Sequence, residues 1–358
     1  MHLIFRCALL VSLALIPWAG AVAAYGQENE VGQAAEATET SAQNHTETNP
    51  AGAAAGHPSG LSFLAAQNHE LRPDQEALRL LVFHNYGHDH RSPGPYRELL
   101  QDAVNRLQAL VDPQGRITGG DMISGALVVA ALAEAYAMTL DPRLRESSKQ
   151  ALDHLIGQAI QGPEEQGGWL AWPRTEDDQE NIGLRETLFA TMAVRLGDSA
   201  GLLEEDVLKR IRTRVRLWQG TATEGPALPA TWLPEEPGSQ QRHNALGLAL
   251  LAYLNAAHDA HAQALADQVF QQSLTATAGE LPSVDELWAT MTGFFLTHDG
   301  RHWPAWHQRF SHKVLSRQSL DGGWPPAPDE RWGDGLSQTL WILLTHSVIP
   351  PRFLRARP

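Results

Sequence analysis

The sequence predicts an all-α protein, an α/α toroid in which inner and outer helices alternate as an incomplete or closed α6/α6 barrel. Three observations carry that prediction. From about residue 66 onward, apolar residues recur at helical spacing with no strong period-2 alternation. Two kinds of helical segment take turns, one amphipathic and one apolar nearly all round. The connections repeat a Gly-Gly-Trp turn.

Residues 1–24 read as a secretory signal. Arg6 gives the positive start, Cys7 to Ile16 the apolar stretch, and Ala21-Val22-Ala23 the small-residue cleavage site. The chain is therefore expected to be exported, periplasmic or extracellular, with no integral membrane segment once the signal is removed. That removal takes the only cysteine, which excludes disulfides, a thiol nucleophile and cysteine-ligated zinc. Residues 25–60 carry Glu28, Glu30, Glu36, Glu39 and Glu47 with no Lys or Arg and almost no large apolar side chain. Such a segment buries too little to offset its ordering entropy, so 25–65 is expected to be a disordered acidic linker before a toroid over 66–358.

Within the toroid, Leu99, Leu100, Ala103, Val104, Leu107 and Leu110 form one apolar stripe, opposed by Glu98, Gln101, Asp102 and Arg106. Segments 142–160, 201–218, 259–274 and 303–318 are similar and read as outer helices. Met122 to Met138 is apolar nearly throughout, as are 184–196, 243–257, 286–297, 336–349 and the shorter 75–84. These read as inner helices. Six inner and five outer segments, at a period of roughly 45–60 residues, make an array that almost closes into a ring.

The turns add a further signal. Gln166-Gly167-Gly168-Trp169 and Gln318-Ser319-Leu320-Asp321-Gly322-Gly323-Trp324 each follow an outer segment. The second resembles the repeat of the squalene–hopene cyclase and prenyltransferase-like superfamily. Ala133-Glu134-Ala135-Tyr136, Asp141-Pro142-Arg143-Leu144-Arg145 and Tyr86-Gly87-His88-Asp89-His90-Arg91-Ser92 with Tyr96-Arg97 resemble repeat units of bacterial members of undefined activity. The resemblance covers about residues 75–350 and implies an α/α toroid.

The chemistry of that superfamily is not matched. A cyclase acid sits in D-x-D-D, and the nearest stretch here is Thr175-Glu176-Asp177-Asp178. A diphosphate site uses D-D-x-x-D, and Asp177-Asp178-Gln179-Glu180-Asn181 ends in Asn. Asp177, Asp178 and Glu180, with Arg185 as a nearby cation, are nevertheless the catalytic candidates. Polar residues at inner-helix starts crowd one mouth of a toroid, which makes Asp121, Glu186, Arg242, His243, Asp285, Asp334 and Gln338, with Trp288, the ligand-binding candidates. His84, His88 and His90 are a weak candidate metal site if their turn folds them together. No metal or other cofactor is expected.

The net charge is −14. An acidic chain with no Lys/Arg block argues against nucleic acid and anionic membranes as main partners. The leading expectation is an exported toroid that binds a hydrophobic or extended small molecule, or a protein partner, without D-x-D-D chemistry. The alternatives are an atypical terpene cyclase or prenyltransferase, and an α/α-barrel polysaccharide lyase or glycoside hydrolase.

Overall fold

A helix without a polar face must be covered on every side. In the computed structural model this is achieved by closing a ring. The structure describes residues 56–67, 70–168, 170–174, 182–203, 206–221, 239–256, 259–275, 282–296, 302–327 and 331–347, all within the unit Pro50–Pro358. These residues form twelve α-helices: α1 (Gly56–Ala65), α2 (Pro73–Asn85), α3 (Arg97–Ala109), α4 (Met122–Thr139), α5 (Pro142–Gly157), α6 (Leu184–Ser199), α7 (Val207–Thr221), α8 (Ser239–Tyr253), α9 (Ala260–Thr275), α10 (Val284–Leu296), α11 (Trp303–Leu315) and α12 (Gly335–His346). The even-numbered helices are the inner ones. They pack in sequence from α2 to α12, and α12 packs back on α2. The odd-numbered helices lie outside them. The all-α toroid is thus observed, and its inner ring is closed.

Burial follows the sequence pattern. In α4 every residue from Met122 to Ala135 except Gly125 is buried. It is the described helix long and apolar enough to cross a membrane, yet here its surface is taken up by its neighbours in the barrel. Asp121 starts it by accepting the Ser124 N–H at 2.9 Å. By contrast α3 buries only Leu100, Ala103, Val104 and Leu107.

The sixth outer position is taken by a helix that the sequence assigns to the linker. Residues 56–65 form α1, which packs on α12 and supplies the sixth outer helix. Leu61 and Leu64 are buried. The approach is close: a Cβ on Gly60 would lie 2.7 Å from a Leu343 methyl, and one on Gly323 would lie 2.8 Å from the Phe63 ring. The expected linker boundary at residue 65 is corrected on this point. A ten-residue helix with two core leucines is too short to stand out from the Ala- and Gly-rich sequence before it.

The Gly-Gly-Trp turns anchor outer helices to the next inner ones. Trp324 is buried; its indole N–H donates to the Val314 carbonyl at the end of α11, and its backbone N–H donates to Thr339 Oγ1 in α12, both at 2.8 Å. Trp169 lies outside the described residues. Its repeat carries the equivalent anchor three residues later. Trp172 is fully buried, donates from its indole to the Leu155 carbonyl of α5 at 2.8 Å, and donates from its backbone to Thr187 Oγ1 of α6 at 3.1 Å. A two-residue hairpin, β1 (Ile160–Gln161) paired antiparallel with β2 (Leu170–Ala171), brings Trp172 there.

Aromatic rings meet across the barrel. Phe189 of α6, Trp288 of α10 and Trp341 of α12 meet with ring centroids 5.2–5.8 Å apart. These three lie within the first two turns of their helices. Tyr253, at the end of α8, touches Trp288 at 6.1 Å. Deeper still, His84 of α2 faces Glu134 of α4 with 3.7 Å between Nδ1 and Oε2, and neither side chain is more than 1% exposed. Burial and the Glu134 charge push the Tyr253 hydroxyl up in pKa.

Two outcomes test this account. Trp172→Ala and Trp324→Ala are each expected to lower stability by about 3–5 kcal/mol, read from the urea midpoint; an unchanged midpoint would show the turns do not anchor. His84→Leu alone is expected to destabilise more than His84→Leu combined with Glu134→Leu, because the single change leaves a buried carboxylate without its partner. Equal losses in the two proteins would remove the axial pair as a coupled unit.

Candidate active site

The starts of the inner helices are tied to one another, which fixes all six N-termini at one mouth. Arg72, before α2, donates to Asp334, before α12, at 3.3 Å, and Gln75 reaches both Asp334 and Ser337 at 3.2 Å. Arg331, on the turn entering α12, pairs with Asp121 at the start of α4 and donates to Ser124 Oγ at 3.2 Å. Arg185 of α6 and Arg242 of α8 both reach Asp285 Oδ2 of α10, at 2.8 and 2.7 Å. Gln241 of α8 donates to Glu286 Oε1 of α10 at 2.9 Å.

The carboxyl groups here fall into two electrostatic classes. Burial pushes Asp121 up, but the Arg331 and Ser124 hydrogen bonds outweigh it and hold the group well below the usual carboxylate range. Asp334 is held down against burial by the Ser337 hydrogen bonds and Arg72. Asp285 is fully enclosed; burial would raise it, but Arg185 and Arg242 keep it low. Glu186 and Glu286 go the other way. Burial raises Glu186, and its own backbone N–H with Arg185, Arg174 and Arg331 only partly offset this. Burial and the adjacent Asp285 charge push Glu286 up to about 7. The Glu186 carboxylate folds over Gly183, where a Cβ would lie 1.8 Å from Oε2, so a side chain at 183 would evict it.

Under this mouth lie the axial aromatics. Trp332 is fully buried and contacts Trp341 at 5.3 Å, and its ring carries the guanidinium of Arg331 at 4.7 Å and that of Arg185 at 5.8 Å. Gln338 donates to the Trp332 carbonyl at 2.8 Å.

The structure therefore brings together Asp121, Arg185, Glu186, Arg242, Asp285, Asp334 and Gln338 as expected, with Trp288 in the floor. His243 is buried on α8. Asp177, Asp178 and Glu180 lie outside the described residues. The two ends of their loop are described and sit at the mouth: Pro173 and Ile182 form an antiparallel bridge, and the Gly183 N–H donates to the Trp172 carbonyl at 2.9 Å. The three histidines are not gathered. His84 faces Glu134, His90 Nε2 lies 3.4 Å from Asp141, and the His88 ring packs on Tyr96 at 4.9 Å. Among the described residues no group of three or more His, Cys, Asp or Glu is placed to hold a metal. Sequence reasoning missed Arg72, Gln75, Gln241, Arg331 and Trp332. Each lies at or just before an inner-helix start, so the rule that selected the acids there would have found them had it been applied to their partners.

No protein-family model matches the chain, and no curated protein matches it. Solved structures do. The GH76A α-1,6-mannanase of Salegentibacter sp. HEL1_6 is similar with a TM-score of 0.57 and 10% identity, covering 83% of this chain and 98% of that one. An inactive variant of that enzyme, with two adjacent aspartates changed to asparagine and α-1,6-mannotriose bound, matches with a TM-score of 0.57, 11% identity and the same coverage. At this identity the likeness is one of fold. It corrects the expected kinship with terpenoid cyclases and prenyltransferases: these structural neighbours are glycoside hydrolases, and the toroid is the feature shared. The Gly-Gly-Trp turn that suggested the kinship is explained locally, as the clamp between an outer helix and the next inner one.

The mouth makes a testable contribution to stability. Glu286 holds its proton more tightly in the folded chain than in the unfolded one, where its value is near 4.5. Its contribution is fully present below about pH 4.5 and is lost as pH rises through about 7. The loss is expected to be on the order of 2–3 kcal/mol. Chemical denaturation between pH 5 and 8 should show this slope in the parent chain and a flatter profile in Glu286→Gln. Parallel profiles would show that Glu286 is not the titrating group.

Proposed function

We propose that the chain is an exported glycoside hydrolase that cuts an extended α-linked hexose polymer at the inner-helix mouth. The observation that carries this reading is the meeting of Phe189, Trp288 and Trp341 across the barrel beneath a mouth lined with carboxyl and guanidinium groups. A polyene substrate needs a deep apolar chamber, and the aromatic rings occupy that level of the axis. A glycan needs a shallow, hydroxyl-binding surface instead. Arg185, Arg242 and Gln241 supply donors there, and Glu286, protonated up to about pH 7, both donates and accepts.

Hydrolysis takes two carboxyl groups, one to protonate the leaving oxygen and one to attack or to activate water. Asp177 and Asp178 are assigned those roles. They form the sole Asp-Asp pair in the sequence, on a loop whose two ends are fastened at the mouth. The mannanase neighbour is inactive when two adjacent aspartates are changed. Asp121, Asp285 and Asp334 are committed to arginines and helix caps and are assigned to holding the mouth in shape.

The test is incubation of the protein with α-1,6-mannan and α-1,6-mannotriose, with new reducing ends measured. Activity is expected, with a loss of at least about 1,000-fold in Asp177→Asn and in Asp178→Asn. Oligosaccharide binding without cleavage would replace the hydrolase with a glycan-binding scaffold. Neither binding nor cleavage across α-linked mannans and glucans would remove the glycan reading.

A further inference from the structure

The outer helix α7 is an exception to the absence of a Lys/Arg block. Between Val207 and Thr221 it carries Lys209, Arg210, Arg212, Arg214 and Arg216 and no acidic residue, in a chain of net charge −14. Its apolar stripe, with Val207, Leu208, Ile211 and Val215 buried, fixes the helix on the barrel, leaving Arg210, Arg212 and Arg214 half-buried. Several arginines elsewhere meet carboxylates: Arg72, Arg79, Arg106, Arg143, Arg185, Arg242 and Arg331 do so within 4 Å. On α7 the described contacts are different. Arg210 Nε donates to the Gly168 carbonyl at 2.7 Å, and Arg212 Nε donates to the Leu254 carbonyl at 3.1 Å. Those neutral partners orient the two guanidiniums without cancelling their charge. Lys209 and Arg216 are exposed. Lys209, Arg212 and Arg216 follow the three- and four-residue spacing of a single helix face.

Beside this face lies a cavity of about 280 Å³, walled by Arg212, Arg216, Asn255 and Asp259 over Val215 and Leu251. Asp259 Oδ1 accepts the His261 N–H at 2.9 Å and so caps α9. Two guanidiniums at the rim of a recess suit a carboxylate or phosphate group carried on a sugar ring. The recess also discriminates between polyanions. A single substituent enters it, whereas a flat lipid surface does not, and Leu217 beside it is only 37% exposed.

We infer that α7 and this cavity form a second glycan site, away from the inner-helix mouth, that takes an anionic strand bearing carboxylate or phosphate groups. The occupant's identity as a glycan rests on the hydrolase reading; the anion site itself does not. An otherwise acidic protein repels such a polymer, so one positive helix sets where the strand lands and holds it while the mouth works along it.

The experiment measures binding of the full chain to polygalacturonate, phosphorylated mannan and neutral α-1,6-mannan by affinity electrophoresis at increasing salt. The anionic polymers are expected to retard the protein, with retardation falling as salt rises. Lys209→Gln/Arg216→Gln, which leaves the Leu254 contact of Arg212 intact, should weaken that binding at least about 10-fold, and Arg212→Gln should weaken it further. Asp177→Asn/Asp178→Asn should leave it unchanged, which separates failure of this site from failure of the hydrolase. Unaltered binding in the α7 variants overturns the proposal. So does α7-dependent capture by vesicles containing anionic lipid in the absence of any polymer binding, because the partner is then a membrane surface.

Discussion

Six helices with no water-facing side set the terms for everything else in this molecule. Covering one such helix takes neighbours on both flanks and an outer helix behind it. Covering six takes a ring. The ring closes where α12 packs on α2, and α1 covers α12 from outside. Gly60 and Gly323 let that helix and the last turn come close enough for Leu343 and Phe63 to pack without a gap. The tryptophan clamps then set the spacing between layers, because each ring touches an outer-helix carbonyl while its own backbone reaches the next inner helix.

Closing the ring determines the chemistry of its mouth. Six helix N-termini converge there, each with unpaired N–H groups and a positive dipole end. Acidic caps answer that field, and arginines answer the caps. Asp121, Asp285 and Asp334 are ionised and fully engaged in this way. Glu186 and Glu286 are the residues where burial wins instead. The mouth thus separates carboxyl groups held ionised by arginines from Glu186, which burial raises, and Glu286, which burial and the Asp285 charge raise to about 7. The same closure brings Phe189, Trp288 and Trp341 together across the axis.

Charge is divided across the outside of the barrel as well. The chain is acidic as a whole, yet α7 gathers five cations; among the described residues Arg210 and Arg212 donate to backbone carbonyls, and Lys209 and Arg216 are exposed. Net charge averages such a feature away. A helix presents it on one face, where a polymer strand meets several cations at once.

Helical periodicity alone determined the fold class, the order of inner and outer helices and the identity of the core, because burial on one side or on all sides is written into each segment's own apolar spacing. It also placed Asp121, Arg185, Glu186, Arg242, Asp285, Asp334 and Gln338 at one mouth, since inner-helix starts share a mouth in any toroid. The tertiary structure decided the rest. It made residues 56–65 a helix, because the stabilisation comes from α12 across the seam and not from local propensity. It made Trp172 an anchor at the first repeat junction, because the hairpin carries its ring to the outer-helix carbonyl. It sent His84, His88 and His90 to three different partners, since proximity in sequence does not fix the direction of a side chain at a helix end. It brought Phe189, Trp288 and Trp341 together, which depends on rings from opposite sides of the barrel meeting in space. It also made some carboxyl groups structural and others available, because a carboxyl pKa is set by burial and by charges that arrive from distant segments.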